Sequence, residues 1–277
     1  MLISVIVTTY NRPDALARVI GGLYAQRRPA DEIIVADDGS TGSTRDLVEK
    51  MQKRAGVATT HVWQPDEGFR LARIRNEALR VCRGDYVIFL DGDCIPDPDF
   101  VADHERLSAP GYFVQGKRIL VDRALSDHFT HQNVAGHRLR LLFSRHLGNR
   151  HHLLRIGWLP PLVNVRLSGT RFCNAAIFKK DLYAVNGFNQ AFRGWGREDS
   201  EMVVRLYKYG LKRKEHPFAA ICFHLWHPEN DRTQLTANDQ LLAAAQAAGT
   251  YLCAHGIETL DPATLNRPNG AGAPQPS

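Results

Sequence analysis

The run Tyr86-Val87-Ile88-Phe89-Leu90-Asp91-Gly92-Asp93 constrains the chain more than any other feature: a continuous apolar strand stops abruptly at two carboxylates with one glycine between them. An unbroken apolar run has no polar face to offer solvent, so it belongs in a parallel strand covered on both sides. Sheets of that kind open their ligand crevice at the carboxyl ends of the strands. Two hard oxygen donors therefore stand at its mouth. Carboxylates held this close repel one another unless protons or a cation intervene, and Mg²⁺ or Mn²⁺ carrying a phosphorylated substrate suits them. Asp-Gly-Asp is also good turn chemistry, and the tripeptide alone does not separate the two readings.

The first hundred residues alternate apolar runs with helical periodicity, as an α/β fold with a parallel sheet requires. Strands are predicted at Ile3 to Val7, Glu32 to Ala36 and Thr59 to Trp63, before the strand ending at Asp91. Helices are predicted at Pro13 to Gln26, where Leu16, Val19, Ile20 and Leu23 keep three-to-four spacing, and at Thr44 to Arg54 and Ala72 to Cys82. This is a doubly wound half-domain, with ligand residues expected just after the strands. Further on, a strand is predicted at Phe218 to Phe223. Helices are predicted at Asp199 to Tyr209, ended by Gly210, and at Asp239 to His255. Residues 1–113 form the expected ligand-binding half and 114–265 the remainder of the same domain. The Pro- and Gly-rich stretch Asn266 to Ser277 reads as a disordered tail.

Lys and Arg outnumber Asp and Glu by 35 to 29, a formal charge of +6 that favours anionic partners without choosing among them. Five scattered cysteines with no Cys-x-x-Cys pair argue for reduced thiols in a cytoplasmic protein, against a disulfide framework or a zinc site. Ile3-Ser4-Val5-Ile6-Val7 reads as a strand, not a signal peptide, and no apolar run is long enough to span a bilayer. From Asp127 to Arg155 histidines and arginines crowd together, with Leu139, Leu141, Leu142 and Phe143 between them. Such a stretch is either a solvated helix face beside a loop, or a basic surface for an anionic acceptor or the headgroups of a membrane met peripherally.

Four stretches, taken in order, resemble the nucleotide-sugar glycosyltransferases of family 2 with the GT-A fold. They are Val5 to Arg12, Val35-Ala36-Asp37-Asp38-Gly39-Ser40, Phe89 to Asp93, and Gly194-Trp195-Gly196-Arg197-Glu198-Asp199. The likeness runs from about residue 2 to residue 230. It implies a Rossmann-like, mostly parallel central sheet flanked by helices, with a C-terminal acceptor-binding region. The Trp-Gly-x-Glu-Asp core resembles the acceptor side of the galactosyltransferase and chondroitin-polymerase branch, which implies transfer with inversion. Arg197 stands where that branch often has glycine, and Thr8 where many relatives have proline.

By that resemblance Asp38 accepts the N–H of a uracil base, with Thr8, Tyr10 and Arg12 bordering the nucleotide. Arg70, Arg73 and Asn76 recur every third residue at a helix start, where a shared face and the helix dipole suit a diphosphate or ribose; Arg73 is favoured over Arg70 or Arg75. Asp93 is the expected direct metal ligand, with Asp91 reaching the ribose or the metal through water and Gly92 a nucleotide-sugar contact. In Cys222-Phe223-His224-Leu225-Trp226-His227, a further ligand is expected from His227, with His224 behind it, and imidazole inclines the site to Mn²⁺ over Mg²⁺. Asp199 is the expected general base, Glu198 a hydrogen-bonding partner of the acceptor, Trp195 with Gly196 its stacking platform, and Asn174 a sugar contact.

These expectations add up to a metal-dependent enzyme moving a hexose or N-acetylhexosamine from a nucleotide sugar, such as a UDP-sugar, to a surface glycan or glycolipid such as lipopolysaccharide or capsule. A nucleotidyltransferase would need a glycine-rich phosphate loop after the first strand, and Thr8 to Leu16 offers none. A module binding anionic glycans or nucleic acid through His137 to Arg155 is the alternative from another class. No aromatic stacking platform or reading helix accompanies that stretch, so nucleic acid is not an expected partner.

Overall fold

A computed structural model describes residues 1–53, 56–229 and 231–260. The predicted helix end at Arg54 and the Asn266–Ser277 stretch lie outside the described residues. In chain order the strands are β1 (Ile3–Thr9), β2 (Glu32–Asp37), β3 (Ala58–Trp63), β4 (Tyr86–Asp91), β5 (Cys94–Pro96), β6 (Tyr112–Gln115), β7 (Lys117–Val121), β8 (Leu147–Gly148), β9 (Leu162–Asn164), β10 (Asn174–Phe178), β11 (Lys212–Glu215) and β12 (Ile221–His224). Eight form one sheet in the order β3-β2-β1-β4-β10-β6-β11-β9, and β5-β12-β7-β8 form a second. The first four strands of the large sheet are parallel, and β10 enters antiparallel beside β4.

The continuous apolar character of β4 has a direct cause. Ile88 and Leu90 point into one core with Val5, Val7, Ile33 and the helix Pro13–Tyr24, while Val87 and Phe89 point into another with Ile6, Ile34 and the helices Leu71–Val81 and Glu198–Tyr209. Tyr86 to Leu90 have no solvent exposure, and full burial of such apolar side chains contributes roughly 1.5–3 kcal/mol each. The register then aligns the strand ends: Thr8 sits beside Asp91 and Ala36, and Thr9 beside Asp37. Gly92 lets the chain pass close to β1, since its N–H donates to the Thr8 carbonyl at 2.7 Å and an added Cβ would lie 2.7 Å from that oxygen. Asp91 and Asp93 are thereby delivered to one crevice edge.

Beyond shifts of one or two residues at element ends, three stretches depart from the sequence reading. The strand expected from Phe218 begins at Ile221, because Ala220 takes a left-handed φ of 52° and turns the chain there. The last long helix runs Leu235–Ala247 instead of Asp239–His255; Ala248 is extended and Gly249 follows, so the helix cannot propagate further. The basic stretch is broken into His131–Val134, Arg138–Leu142 and a 3₁₀ turn Arg150–Leu154, with Asn149 and Arg155 left-handed at either end of that turn. The helix Glu198–Tyr209 does end at Gly210, whose φ of 104° lets the Leu211 N–H reach back to the Leu206 carbonyl. All five cysteines are buried free thiols.

Candidate active site

Asp91 and Asp199 come from elements more than a hundred residues apart and are joined by one buried guanidinium. Arg75, on the helix Leu71–Val81, donates from Nη1 to Asp199 Oδ1 at 2.8 Å, and its Nη2 lies 3.5 Å from Asp91 Oδ1; its side chain is 1% exposed. The guanidinium lies 5.1 Å from the Phe188 ring centroid and 5.9 Å from that of Phe172, so aromatic faces hold its position. Asp199 Oδ2 accepts the Phe172 N–H at 2.9 Å, and Thr8 Oγ1 donates to Asp91 Oδ1 at 2.8 Å. Desolvation, with Asp93 and Asp199 nearby, pushes the Asp91 carboxyl above its ordinary range despite Arg75. Burial, reinforced by Asp199, pushes Glu198 up to about 8, and its Oε2 has no hydrogen-bond partner among the described residues.

Beside this cluster Asp93, His224 and His227 each present a ligand atom within 4.8 Å of the others. His224 Nε2 is 3.8 Å from Asp93 Oδ1, and His227 Nε2 is 3.5 Å from Asp93 Oδ2. The pairing of β12 with β5 puts His224 directly opposite Cys94, one residue after Asp93. Desolvation lowers His224 to about 4, which keeps its imidazole neutral and its lone pair available. One hard carboxylate with two imidazoles suits a divalent first-row ion such as Mn²⁺, so the residues present fit such a metal. Arg12 donates to Asp93 Oδ2 at 2.9 Å, on the same edge.

The strand ends β1, β2 and β3 build the adjoining side. Asp37 is fully buried and works on the loop, accepting the Ser40 N–H at 2.9 Å and lying 2.9 Å from His61 Nε2. Asp38 accepts from Gln64 Nε2 and from the Arg70 N–H at 2.8 Å, and burial raises it to about 6. Tyr10 is half-exposed, its hydroxyl donating to Asp66 at 2.9 Å. Arg70 and Arg73 both approach Glu67, at 3.4 and 3.3 Å. Gln64, Asp66 and Glu67 lie in one short segment after β3 that the sequence reading did not single out.

Two expected ligand contacts are corrected. Asn76 is fully buried and exchanges hydrogen bonds with the backbone of Phe188, giving to its carbonyl at 2.7 Å and taking its N–H at 2.8 Å. Asn174 is 1% exposed, meets His104 Nε2 at 2.9 Å and donates to the carbonyls of Lys117 and Ala220 at 3.1 and 2.8 Å. Both amides fasten the fold, leaving no face for a sugar. Arg75, placed behind Arg73 for the diphosphate or ribose, meets the carboxylate cluster, a contact the sequence reading did not name. A signal was available: Arg75 shares the helix face of Ala72, Ala78 and Leu79, so it points into the core where a lone cation must meet carboxylates.

The loop that carries Trp195 precedes the helix Glu198–Tyr209. Gly194 and Gly196 adopt φ of 67° and 106°, turning Trp195 partly outward with the Arg232 guanidinium 5.3 Å from its ring centroid. Arg197 also takes a left-handed φ, 77°, and pairs with Asp239 at 2.5 Å. The geometry explains why glycine suits this position.

Comparison with known proteins places this α/β fold in a family. The model of glycosyl transferase family 2 matches residues 4–180, more than half of the chain, and that of the N-terminal domain of galactosyltransferase matches residues 161–228. The chain belongs to glycosyl transferase family 2. It is 28% identical to a chondroitin synthase of Escherichia coli over 96% of its own length, and 30% identical to a validoxylamine A glucosyltransferase of Streptomyces hygroscopicus subsp. limoneus over 76%. A hyaluronan synthase of Pasteurella multocida is 30% identical over 75% of the chain. The chain spans 41%, 49% and 23% of the lengths of these three relatives. Among solved structures, Staphylococcus aureus TarS 1-349 superposes with a TM-score of 0.61 at 18% identity, covering 88% of this chain and 65% of that one. The mannosyltransferase PcManGT from Pyrobaculum calidifontis, in complex with GDP-Man and Mn²⁺, gives 0.58 at 21%, covering 88% and 62%. The architecture is the GT-A fold.

Proposed function

We propose that the protein is an inverting, divalent-metal-dependent glycosyltransferase that moves a hexose or N-acetylhexosamine from a UDP-sugar to a hydroxyl of a surface glycan such as lipopolysaccharide or capsule. One observation carries the reading: Arg75 ties Asp91, at the edge that also bears Asp93, to Asp199 on the acceptor-side helix, so metal-ligand chemistry and a general base share one crevice. Asp93, His224 and His227 would hold the ion, and Mn²⁺ in the PcManGT complex is consistent with that choice of metal. When bound, a divalent ion there supplies charge stabilisation for a departing diphosphate. Asp38 and Tyr10 line the expected base side, and Arg70 and Arg73 offer guanidinium groups to phosphate or ribose, with Glu67 as their present partner.

The residues then divide the reaction between them. The acceptor oxygen bonds to the anomeric carbon as the carbon–phosphate-oxygen bond breaks, the electron pair leaves with the diphosphate, and the acceptor proton passes to Asp199. Arg75 and the Phe172 N–H each occupy one lone pair of Asp199, which fixes the carboxylate and leaves others for that proton. Glu198, whose burial favours the protonated form, offers an O–H to an acceptor hydroxyl, and Trp195 offers its ring to a sugar face. Incubation with UDP-sugars and Mn²⁺ tests the assignment: Asp93→Ala should abolish UDP release, and Asp199→Asn should retain slow hydrolysis but lose transfer. Full transfer by Asp199→Asn refutes the base assignment.

A further inference from the structure

Between Asp127 and Asp181 the sequence contains no aspartate or glutamate, and its stretch from residue 138 to 155 carries Arg138, Arg140, Arg145, Arg150 and Arg155. The structure sorts these arginines into two groups. Arg138 and Arg155 turn inward to Asp97, Asp99 and Asp103 and hold the segment on the body of the protein. Arg140, Arg145 and Arg150 are exposed and have no carboxylate partner among the described residues. Large apolar side chains are exposed among them: Leu139 is 77% exposed, Phe143 82% and Trp158 83%.

Phe143 and Arg140 also border a cavity of about 530 Å³ whose other walls include Leu125, Phe129, His137 and His146. Its floor is apolar and its rim cationic or imidazole-bearing. The acid in contact with this rim is Asp122, which is already engaged by His146 Nδ1 at 2.7 Å. No helix among the described residues is long and apolar enough to cross a membrane. Exposed aromatic and leucine side chains interleaved with arginines are the composition that settles at a headgroup boundary, with apolar groups entering the acyl region and guanidinium groups meeting phosphates.

We propose that the face built on the helix Arg138–Leu142 and the turn Arg150–Leu154 docks on an anionic phospholipid bilayer. The face is mechanically close to the catalytic crevice. β8 pairs with β7, β7 pairs with β12, and β12 ends at His224. The Ser126 hydroxyl, between the cavity-wall residues Leu125 and Phe129, accepts the Trp226 N–H at 2.8 Å, and the Arg123 guanidinium lies 4.8 Å from the centroid of the Trp226 ring. Docking through this face would hold the loop that carries His227 near the membrane, where a lipid-anchored acceptor presents its sugar end. Charge complementarity commits the surface to anionic lipid: the segment has no carboxylate of its own, and three of its guanidinium groups have no carboxylate partner among the described residues.

Flotation of the full chain with sealed vesicles tests this independently of any transferase activity. The protein should rise with phosphatidylcholine vesicles containing phosphatidylglycerol, remain behind with pure phosphatidylcholine, and be released at high salt. Arg140→Gln with Arg145→Gln, and separately Phe143→Ser with Leu139→Ser, should each weaken partitioning by about tenfold or more. All four side chains are exposed, so an unchanged thermal midpoint shows that the variants fold. Absence of vesicle binding, binding indifferent to lipid charge, or variants that partition like the parent would overturn the proposal. Retention on DNA without flotation would overturn it equally and favour a polyanion site.

Discussion

Replacing Arg75 tests how the two halves of the crevice are joined. In Arg75→Met the aliphatic stem between Phe172 and Phe188 survives, but Asp91 and Asp199 lose the cation between them. Removing one member of a buried ion pair costs about 3–5 kcal/mol, because the surviving charge stays desolvated. Here the carboxylates keep 34% and 20% of their side-chain exposure, so water and proton uptake relieve part of the loss and the lower end applies, about 3 kcal/mol. For a chain of this size that corresponds to a fall of roughly 6–12 °C in the thermal midpoint. Urea melts followed by tryptophan fluorescence would measure it. The double variant with Asp199→Asn should recover part of the deficit, since one unpaired charge is gone; the cycle should return about 1–3 kcal/mol of coupling. Arg75→Lys should not restore full stability, because a single ammonium cannot fork between two carboxylates. Transfer should fall in every variant. Melts within about 0.5 kcal/mol of the parent, together with full transfer, would refute the bridging role.

Other expectations are equally specific. Arg197→Gly should raise stability by up to about 1 kcal/mol, since relief of a left-handed arginine outweighs loss of its exposed pair with Asp239; a marked loss of stability in a melt would contradict this. Asn174→Ala should cost about 3 kcal/mol by stranding the Ala220 carbonyl and His104, while leaving UDP affinity of the folded protein unchanged; an affinity loss without destabilisation would restore it as a ligand contact. Glu198, whose folded pKa lies above its unfolded value, binds more protons folded than unfolded between about pH 4.5 and 8. It should therefore make stability decline as pH rises through that window, and Glu198→Gln should flatten this part of the profile in pH-dependent melts.

Much of this was legible in the chain because it rests on local pattern. The unbroken run from Tyr86 to Leu90 could only be a strand covered on both faces, and Gly210 could only close a helix. Asp93, His224 and His227 were each visible as donors after strands. What the sequence hid was pairing across distance. Nothing near Arg75 announces Asp199, 124 residues later, and only the entry of antiparallel β10 beside β4 brings the helix Glu198–Tyr209 to that wall. Asn76 and Asn174 were misread for the opposite reason: a polar side chain beside a motif resembles a ligand contact until burial shows it bonded to backbone. The broken stretch from His131 to Arg155 has no period to read, because its arginines serve two tasks, holding Asp97 and Asp103 on one side and facing solvent on the other.

The most direct test of the central claim is Mn²⁺ binding followed by electron paramagnetic resonance, with and without UDP. The account predicts saturable binding that UDP strengthens and that Asp93→Ala or His227→Ala weakens by about 10-fold or more. Mn²⁺ affinity unchanged in both variants would contradict it.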